Sequence, residues 1–182
     1  MIIKAQSLDN FIDKSLYEKN KGYYQRKMEF GRRGDFITSP GISKLFSEMI
    51  AIWIVSFWEN LNKPEKINLV ELGAGNGELI EVLINTLNKL EIVKDKFKFF
   101  IFEKSMSLKK LQKKKFSKSV KWLDNFDELP NSPTIFLANE FFDALPIKQF
   151  FKRQDDWYEK FVDLRNPKEA KFNEIKTNIK LI

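Results

Sequence analysis

The chain has 182 residues, with 32 Lys or Arg against 25 Asp or Glu and a formal net charge of +7. It contains no cysteine and no histidine, which excludes disulfides, thiolate nucleophiles, Ser-His-Asp triads and the usual zinc sites. Because 43% of the residues are hydrophobic and no stretch approaches the length of a membrane span, we expect one domain with a sizeable core, no membrane span and no metal. A general base would have to be a carboxylate, Lys, Tyr or water.

The positive charge does not by itself predict nucleic-acid binding. Only five of the basic residues are Arg, and the densest lysine run, "KKLQKKK" at 109–115, has the pattern of a solvated helix face. The first residues, "MIIKAQSLDNF", lack the apolar core of a signal peptide and the arginines of a mitochondrial presequence. We therefore expect a cytoplasmic protein that does not bind nucleic acid.

The residue pattern in the first third of the chain predicts two helices. Apolar residues at helical spacing within 7–19 predict the first, which ends before Gly22. Ser39 and Pro40 are the residue types preferred at the cap and the first position of a second helix. That helix ends before Pro64 and has an apolar stripe that we expect to pack in the core, namely Ile42, Leu45, Phe46, Met49, Ile50, Trp53, Ile54, Phe57, Trp58 and Leu61.

Beyond residue 66, short apolar runs alternate with helical patterns. We expect strands at 67–72, 97–102, 120–123, 134–138, 147–152 and 157–162, and helices at 78–90 and 106–116. This alternation predicts an α/β fold with a parallel sheet that helices cover on both faces. The tail at 165–182 is polar and weakly patterned, and we expect no strand there.

A glycine-rich turn follows the first predicted strand in "LVELGAGNGEL" at 69–79. Glycines at 73, 75 and 77 would let the backbone approach a ligand closely, although a tight turn from strand to helix would also explain them. The dinucleotide fingerprint needs its third glycine where Glu78 stands. Because Glu71 would repel a pyrophosphate and suit a ligand with an ammonium group, the turn favours S-adenosylmethionine over NAD.

Polar residues also follow the second and fourth predicted strands. Glu103 is placed to accept hydrogen bonds from ribose hydroxyls, or alternatively to pair with Lys104 at the surface. Asn139, Glu140 and Asp143 follow the fourth strand, where open α/β sheets bind their ligands. Two carboxylates beside Phe141 and Phe142 could hold a cationic nitrogen nucleophile, although Asp143 could instead cap a helix.

Six stretches resemble the MidA-like methyltransferases, a family that includes the mitochondrial complex I assembly methyltransferase. They run in family order as "GYY" (22–24), "FGRRGDFITSP" (30–40), "SKLFSEMIAIW" (43–53), "LVELGAGNGEL" (69–79), "EKSMSLKKLQ" (103–112) and "ANEFFDALPIKQF" (138–150). Gly41 and Ser47 stand where the family usually has Glu and Gly. Family members are also much longer than this chain.

The resemblance implies an incomplete Rossmann-like class I methyltransferase sheet of about five strands behind an N-terminal helical segment. We expect a helical and lid segment at 1–64 and an S-adenosylmethionine-binding domain at 65–182. Three sets of site residues follow: for the cofactor, Glu71, Gly73, Ala74, Gly75, Gly77, Glu103 and Lys104; for catalysis, Asn139, Glu140 and Asp143; for the lid, Gly34, Asp35, Thr38 and Ser39.

The activity that the resemblance implies is methylation of a protein arginine, linked to assembly of respiratory complex I. The alternative is an inactive, truncated remnant that acts as a binding or assembly protein. An NAD-type dehydrogenase is disfavoured by the glycine spacing and by Glu71. The fifth strand, near 147–151, would have an open edge, so we expect self-association or a partner chain that supplies the missing strands.

Overall fold

A computed structural model describes residues 5–25, 39–116, 118–166 and 169–177. Its helices are α1 (Leu8–Tyr17), α2 (Ser39–Ile42), α3 (Lys44–Asn60), α4 (Glu78–Leu87) and α5 (Met106–Phe116). Its strands are β1 (Ala5–Ser7), β2 (Ile67–Leu72), β3 (Phe97–Phe102), β4 (Val120–Leu123), β5 (Thr134–Leu137), β6 (Phe150–Arg153), β7 (Asp156–Asp163) and β8 (Lys171–Thr177). In the described ranges, no helix is long and apolar enough to cross a membrane.

The chain divides into two compact units, and the larger one contains a parallel sheet. Lys27–Phe142 form this unit, while Met1–Arg26 and Asp143–Ile182 together form the other. The parallel sheet has the order β4-β3-β2-β5, with β2 hydrogen-bonded to a strand on each side. This confirms the predicted α/β fold with a parallel sheet.

One face of the parallel sheet holds most of the hydrophobic core. Along β2, Ile67 and Leu69 point to this face, where buried residues of α3 and α4 pack on them. Phe116 of α5 joins the same cluster. The helices that connect β2 to β3 and β3 to β4 lie on one side because both crossovers step in the same direction and share one handedness.

The other face of the parallel sheet has much less cover, which corrects the prediction of helices on both faces. Its buried cluster consists of Val70, Phe100 and Leu123, with half-buried Leu129 packed against them. The connection from β4 to β5 contains a short 3₁₀ turn at Phe126–Glu128 in place of an α-helix. This connection has no α-helix because the stretch between the two strands is short and contains two prolines.

The apolar stripe predicted to be core is divided between the core and the surface. Ala51, Ile54 and Trp58 are buried, and the Trp58 indole donates to the carbonyl of Pro64 at 2.9 Å. Six large apolar side chains of the stripe are exposed: Ile42, Leu45, Met49, Trp53, Phe57 and Leu61. The stripe is wider than the contact that one helix can make with α4 and the sheet. The helix also breaks at Ser43, whose backbone is extended.

The smaller unit contains an antiparallel sheet, which corrects two predictions. The segments 147–152 and 157–162 do form a hairpin of β6 and β7, but β6 pairs with β7 and adds no fifth strand to the parallel sheet. The tail, for which no strand was expected, supplies β8, which pairs with β7 along Lys171–Thr177. Strand β1 extends the same sheet by pairing with residues 161–163 of β7.

The two units do not coincide with the division at residue 64 predicted from the sequence. Helix α3 precedes that point, yet it belongs to the larger unit because its buried side chains share the core of the parallel sheet. Helix α1, also before that point, belongs to the smaller unit with β1 and β7. Segments from both ends of the chain therefore build the smaller unit.

Strand β5 is one of the two edges of the parallel sheet, and no described strand pairs with its outer side. We expect the isolated chain to self-associate through this edge, because unpaired strand edges recruit other strands. Replacing the exposed Phe136 in Phe136→Lys should raise the monomer fraction measured by size-exclusion chromatography with light scattering. Ile92→Lys, which removes an exposed apolar side chain outside any strand, is the control. A monomeric wild-type chain would contradict the prediction.

Candidate functional site at the carboxyl edge of the parallel sheet

The turn after β2 has three glycines in the left-handed backbone region. Their φ angles are 69° at Gly73, 55° at Gly75 and 81° at Gly77. A Cβ at Gly73 would lie 2.7 Å from the ring of Phe141, and one at Gly77 would overlap the ring of Phe116. Gly75 differs, because a Cβ there would meet no atom of the described residues within 4 Å. Two of the glycines are therefore required by packing, and Gly75 faces a space that no described residue fills, where a ligand can approach the backbone.

Two hydrogen bonds hold the turn at the start of α4. The amide of Gly77 donates to the carbonyl of Ala74 at 2.7 Å, and the Asn76 side chain accepts from the amide of Glu78 at 3.2 Å. Asn76 thus caps α4, because the cap position itself is Gly77 and has no side chain. This role of Asn76 was not predicted from the sequence, although asparagine before a helix is a signal for such a cap.

Glu71 is buried in β2, directly beneath the glycine turn. Its side chain is 4% exposed, and one carboxyl oxygen has no hydrogen-bond partner among the described residues. Burial raises the pKa of Glu71 to about 8, the nearby Glu103 adds to this, and the amide of Ile80 opposes it. The carboxyl group is therefore mostly protonated at neutral pH. A cation that bound beside it would favour the ionised form.

Glu103 follows β3 and is hydrogen-bonded to the glycine turn. Its carboxylate accepts from the amide of Ser105 at 2.8 Å and from the side chain of Gln112 at 3.2 Å. The backbone amides of Gly75 and Lys104 are close enough to stabilise its charged form. Burial raises the pKa of Glu103, and these four donors oppose the shift. The structure thus brings Glu103 and Gly75 together, while the Lys104 side chain is exposed.

The segment after β5 reaches the same glycine turn through one aromatic ring. Phe141 is the residue that packs against Gly73, and it contacts Phe142 with ring centroids 5.5 Å apart. Asn139 is half-buried, and Glu140 is exposed with a positive φ of 47°. Asp143 lies in the 3₁₀ turn Phe142–Ala144 and belongs to the smaller unit.

Most of the predicted lid lies outside the described residues, including Gly34, Asp35 and Thr38. Ser39 is the first residue of α2, two positions before Gly41. A Cβ at Gly41 would lie 2.6 Å from a carboxylate oxygen of Glu78, so α2 packs closely on the first turn of α4. The end of the predicted lid segment is therefore near the start of the helix that follows the glycine turn.

Gln112 is a buried residue of this site that was not predicted from the sequence. Its side chain is fully buried on α5 and donates to the carbonyl of Gly75 at 2.8 Å. Its spacing could have indicated that it is buried, because it is four residues from both Leu108 and Phe116 on the buried face of the helix. Among the described residues, no group of three or more acidic side chains could hold a metal ion.

A family model described as "Putative S-adenosyl-L-methionine-dependent methyltransferase" matches residues 49–180, which include the whole parallel sheet. The chain belongs to this methyltransferase family. The resemblance stated from the sequence is thereby confirmed, and S-adenosylmethionine is the cofactor that the family description names.

Curated relatives of this chain are named as protein arginine methyltransferases. "Protein arginine methyltransferase NDUFAF7, mitochondrial" of Xenopus laevis is 30% identical over 183 residues, covering 87% of this chain and 42% of that protein. Its Drosophila melanogaster homologue is 32% identical over 177 residues, covering 85% and 40%. The chain thus spans less than half the length of the curated relatives it matches.

A solved structure confirms the fold of this chain. It is a COG1565 superfamily member from Burkholderia thailandensis bound to S-adenosyl-homocysteine. The two align with a TM-score of 0.77 at 24% identity, covering 96% of this chain and 46% of that one. At this identity the likeness extends to the fold alone.

The buried carboxyl group of Glu71 predicts a pH-dependent stability. Its folded-state pKa of about 8 exceeds the ordinary value of 4.5, so its contribution to stability is fully present below pH 4.5 and is lost as the pH rises through 8. We expect Glu71→Gln to reduce this loss, as measured by urea unfolding across that range. Glu91→Gln, at an exposed position, is the control. An unchanged pH slope in Glu71→Gln would contradict the assignment.

Proposed function

We propose that the chain binds S-adenosylmethionine at residues 73–77 and at Glu103. The observation that carries the proposal is the open space at Gly75, with the carboxyl groups of Glu71 and Glu103 beside the same turn. The residues fit this cofactor in two respects. A Cβ would fill the space at Gly75, and Glu71 has a buried oxygen without a described partner that can face an ammonium group.

The residues in and around the turn then have separate roles in binding the cofactor. Glu103 would accept hydrogen bonds from the ribose hydroxyls, because its carboxylate lies after β3, beside the turn. Glu71 would face the ammonium of the methionyl end and ionise when that cation binds. Ala74 is buried, and the exposed Lys104 follows Glu103 at the edge of the site. We include both among the cofactor-binding residues.

We further propose that the acceptor is a protein arginine, as the names of the curated relatives indicate for those proteins. When bound, S-adenosylmethionine supplies an electrophilic methyl group on a sulfonium. Asn139 and Glu140 follow β5 and would orient the guanidinium, with Asp143 as a second carboxylate. Phe142 is 68% exposed and offers a ring face for a cation. The carboxylates would also accept the proton that the methylated nitrogen releases.

A second candidate function is a protein that binds the cofactor or a partner without transferring a methyl group. One observation favours it: the parallel sheet ends at an unpaired edge on β5 within the described residues. A partner chain that supplies further strands would occupy this edge. A radiolabelled methyl-transfer assay distinguishes the two functions.

Location and pathway stay predictions. A cytoplasmic location was predicted from the sequence, whereas the curated relatives are named as mitochondrial proteins. A link to assembly of respiratory complex I rests on the family resemblance. Expression of the tagged chain in its own cells, followed by fractionation and identification of the methylated proteins, tests both.

The cofactor site is tested by Gly75→Val and Gly75→Asn with calorimetry against S-adenosylmethionine. Both side chains fill the open space, and asparagine does so with less strain at positive φ, so we expect both to abolish measurable binding. Gln154→Val is the matched control, because it places valine at a φ of 53° in the β6–β7 hairpin. Wild-type affinity in both Gly75 variants would refute the site, and tighter binding of NAD would refute the family's cofactor for this chain.

The acceptor residues are tested by Asp143→Ala and Glu140→Gln. We expect each to lower methyl transfer to protein arginine by about a hundredfold, the usual loss when a positioned acid–base group is removed. The affinity for S-adenosylmethionine should stay unchanged, because neither carboxylate is assigned to the cofactor. Asp155→Ala removes an exposed aspartate of the hairpin and serves as the control. A parallel loss of affinity and methyl transfer would instead indicate a structural role.

A further inference from the structure

A single glutamine side chain connects three elements beneath the glycine turn. Gln112 lies on α5 and is fully buried. Its Nε2 donates to the Gly75 carbonyl at 2.8 Å and to Glu103 Oε2 at 3.2 Å, while its Oε1 accepts from the indole of Trp122 at 2.9 Å. Because burying an amide without partners is costly, this side chain is stable here only with these bonds in place.

The chemistry of the partners permits only one orientation of the Gln112 amide. The indole N–H of Trp122 can only donate, so it must face the amide oxygen. The Gly75 carbonyl and the Glu103 carboxylate accept hydrogen bonds, so they must face the NH₂ group. If the amide were flipped, its NH₂ group would face the N–H of Trp122. Its oxygen would face the Gly75 carbonyl and the Glu103 carboxylate, which also accept. Trp122 on β4 therefore fixes the direction in which Gln112 donates.

Both backbone groups of Gly75 lie against these two side chains. Its carbonyl accepts from Gln112 at 2.8 Å, and its amide is close enough to Glu103 to lower the pKa of that carboxyl. A glycine at positive φ with open space beside it has no side chain of its own to hold that conformation. Gln112 and Glu103 thus supply, from two other elements, the constraint that the glycine lacks.

We propose that Gln112 is a positioning residue, which holds the Gly75 carbonyl and the Glu103 carboxylate in the arrangement that receives the ribose and the adjoining part of S-adenosylmethionine. The inference rests on the proposed cofactor site and adds a residue to it. Without this amide, the turn gains conformations and the Glu103 side chain loses a donor. Binding must then order both groups, which weakens affinity.

The test compares Gln112→Met with the wild-type chain in calorimetry against S-adenosyl-homocysteine. Methionine keeps the length of the side chain and removes the donors, so we expect a loss of affinity of about tenfold or more, as for one or two lost hydrogen bonds. Trp122→Phe should cause a smaller loss, because it frees the amide to rotate without removing it. The matched control is Asn68→Leu. Asn68 is also fully buried, but its amide bonds Pro130 and Thr134 at the far end of β2.

Two further readouts separate positioning from general destabilisation. In a Glu103→Gln background, Gln112→Met should cost less affinity than in the wild-type chain, because the two residues act as a unit. Without ligand, the carboxyl ¹³C signal of Glu103 should titrate at higher pH in Gln112→Met, because the amide of Gln112 lowers the pKa of that carboxyl. Asn68→Leu should leave this titration unchanged.

The outcomes distinguish this inference from the proposed function. A wild-type chain that does not bind S-adenosyl-homocysteine overturns the proposed function and this inference with it. Binding by the wild type, with equal affinity in Gln112→Met, overturns only the role of Gln112. An equal loss of affinity in Asn68→Leu and Gln112→Met also overturns it, because that result indicates a structural effect.

Discussion

The parallel pairing of β2 with a strand on each side is the constraint on which the candidate site depends. Leu72 lies opposite Phe102 of β3, and Glu71 lies opposite Leu137 of β5, so the three strands end within about one residue of each other. The residues that follow them therefore meet at one edge. The register, rather than any single side chain, brings Gly75, Glu103 and Phe141 together.

Burial gives the site its electrostatic character. Glu71 is inside the sheet and has a strongly raised pKa, whereas Glu103 is surrounded by four donors that partly offset the same effect. The two carboxyl groups are thus suited to different ligand groups. A carboxyl that ionises when a cation arrives suits an ammonium, and a carboxylate held by several N–H groups keeps a fixed direction toward hydroxyls.

The smaller cover on one face of the parallel sheet accounts for the exposed aromatic side chains at β5 and the turn before it. Helices α3, α4 and α5 contribute to the core on one face, whereas Phe126 and Phe136 remain about half-exposed, with ring centroids 5.5 Å apart. Strand β5 has no described neighbour on its outer side. A chain that spans less than half of its relatives therefore presents two features that further polypeptide could cover, an unpaired edge and a nearby aromatic pair.

The sequence by itself determined the local elements and the chemistry of the turn. The bounds of β2, β3, β4 and α5 agree with the predicted ones, because short apolar runs and helical spacing are local patterns. The glycines at 73, 75 and 77 and the carboxylate of Glu103 were also found from the sequence, since special backbone angles and acidic residues after strands leave a local signal. The family resemblance rested on the same stretches.

Only the tertiary structure decided how these elements are shared among layers. The sequence could not show that β6 leaves the parallel sheet for an antiparallel one, or that the polar tail forms β8, because strand pairing joins residues far apart in the chain. It also could not divide the stripe on α3 into buried Ile54 and exposed Trp53, since the spacing of apolar residues reveals the apolar side of a helix but not the width of its contact. Gln112 was not predicted as a site residue for the same reason, because the hydrogen-bond partners of its buried amide belong to other elements.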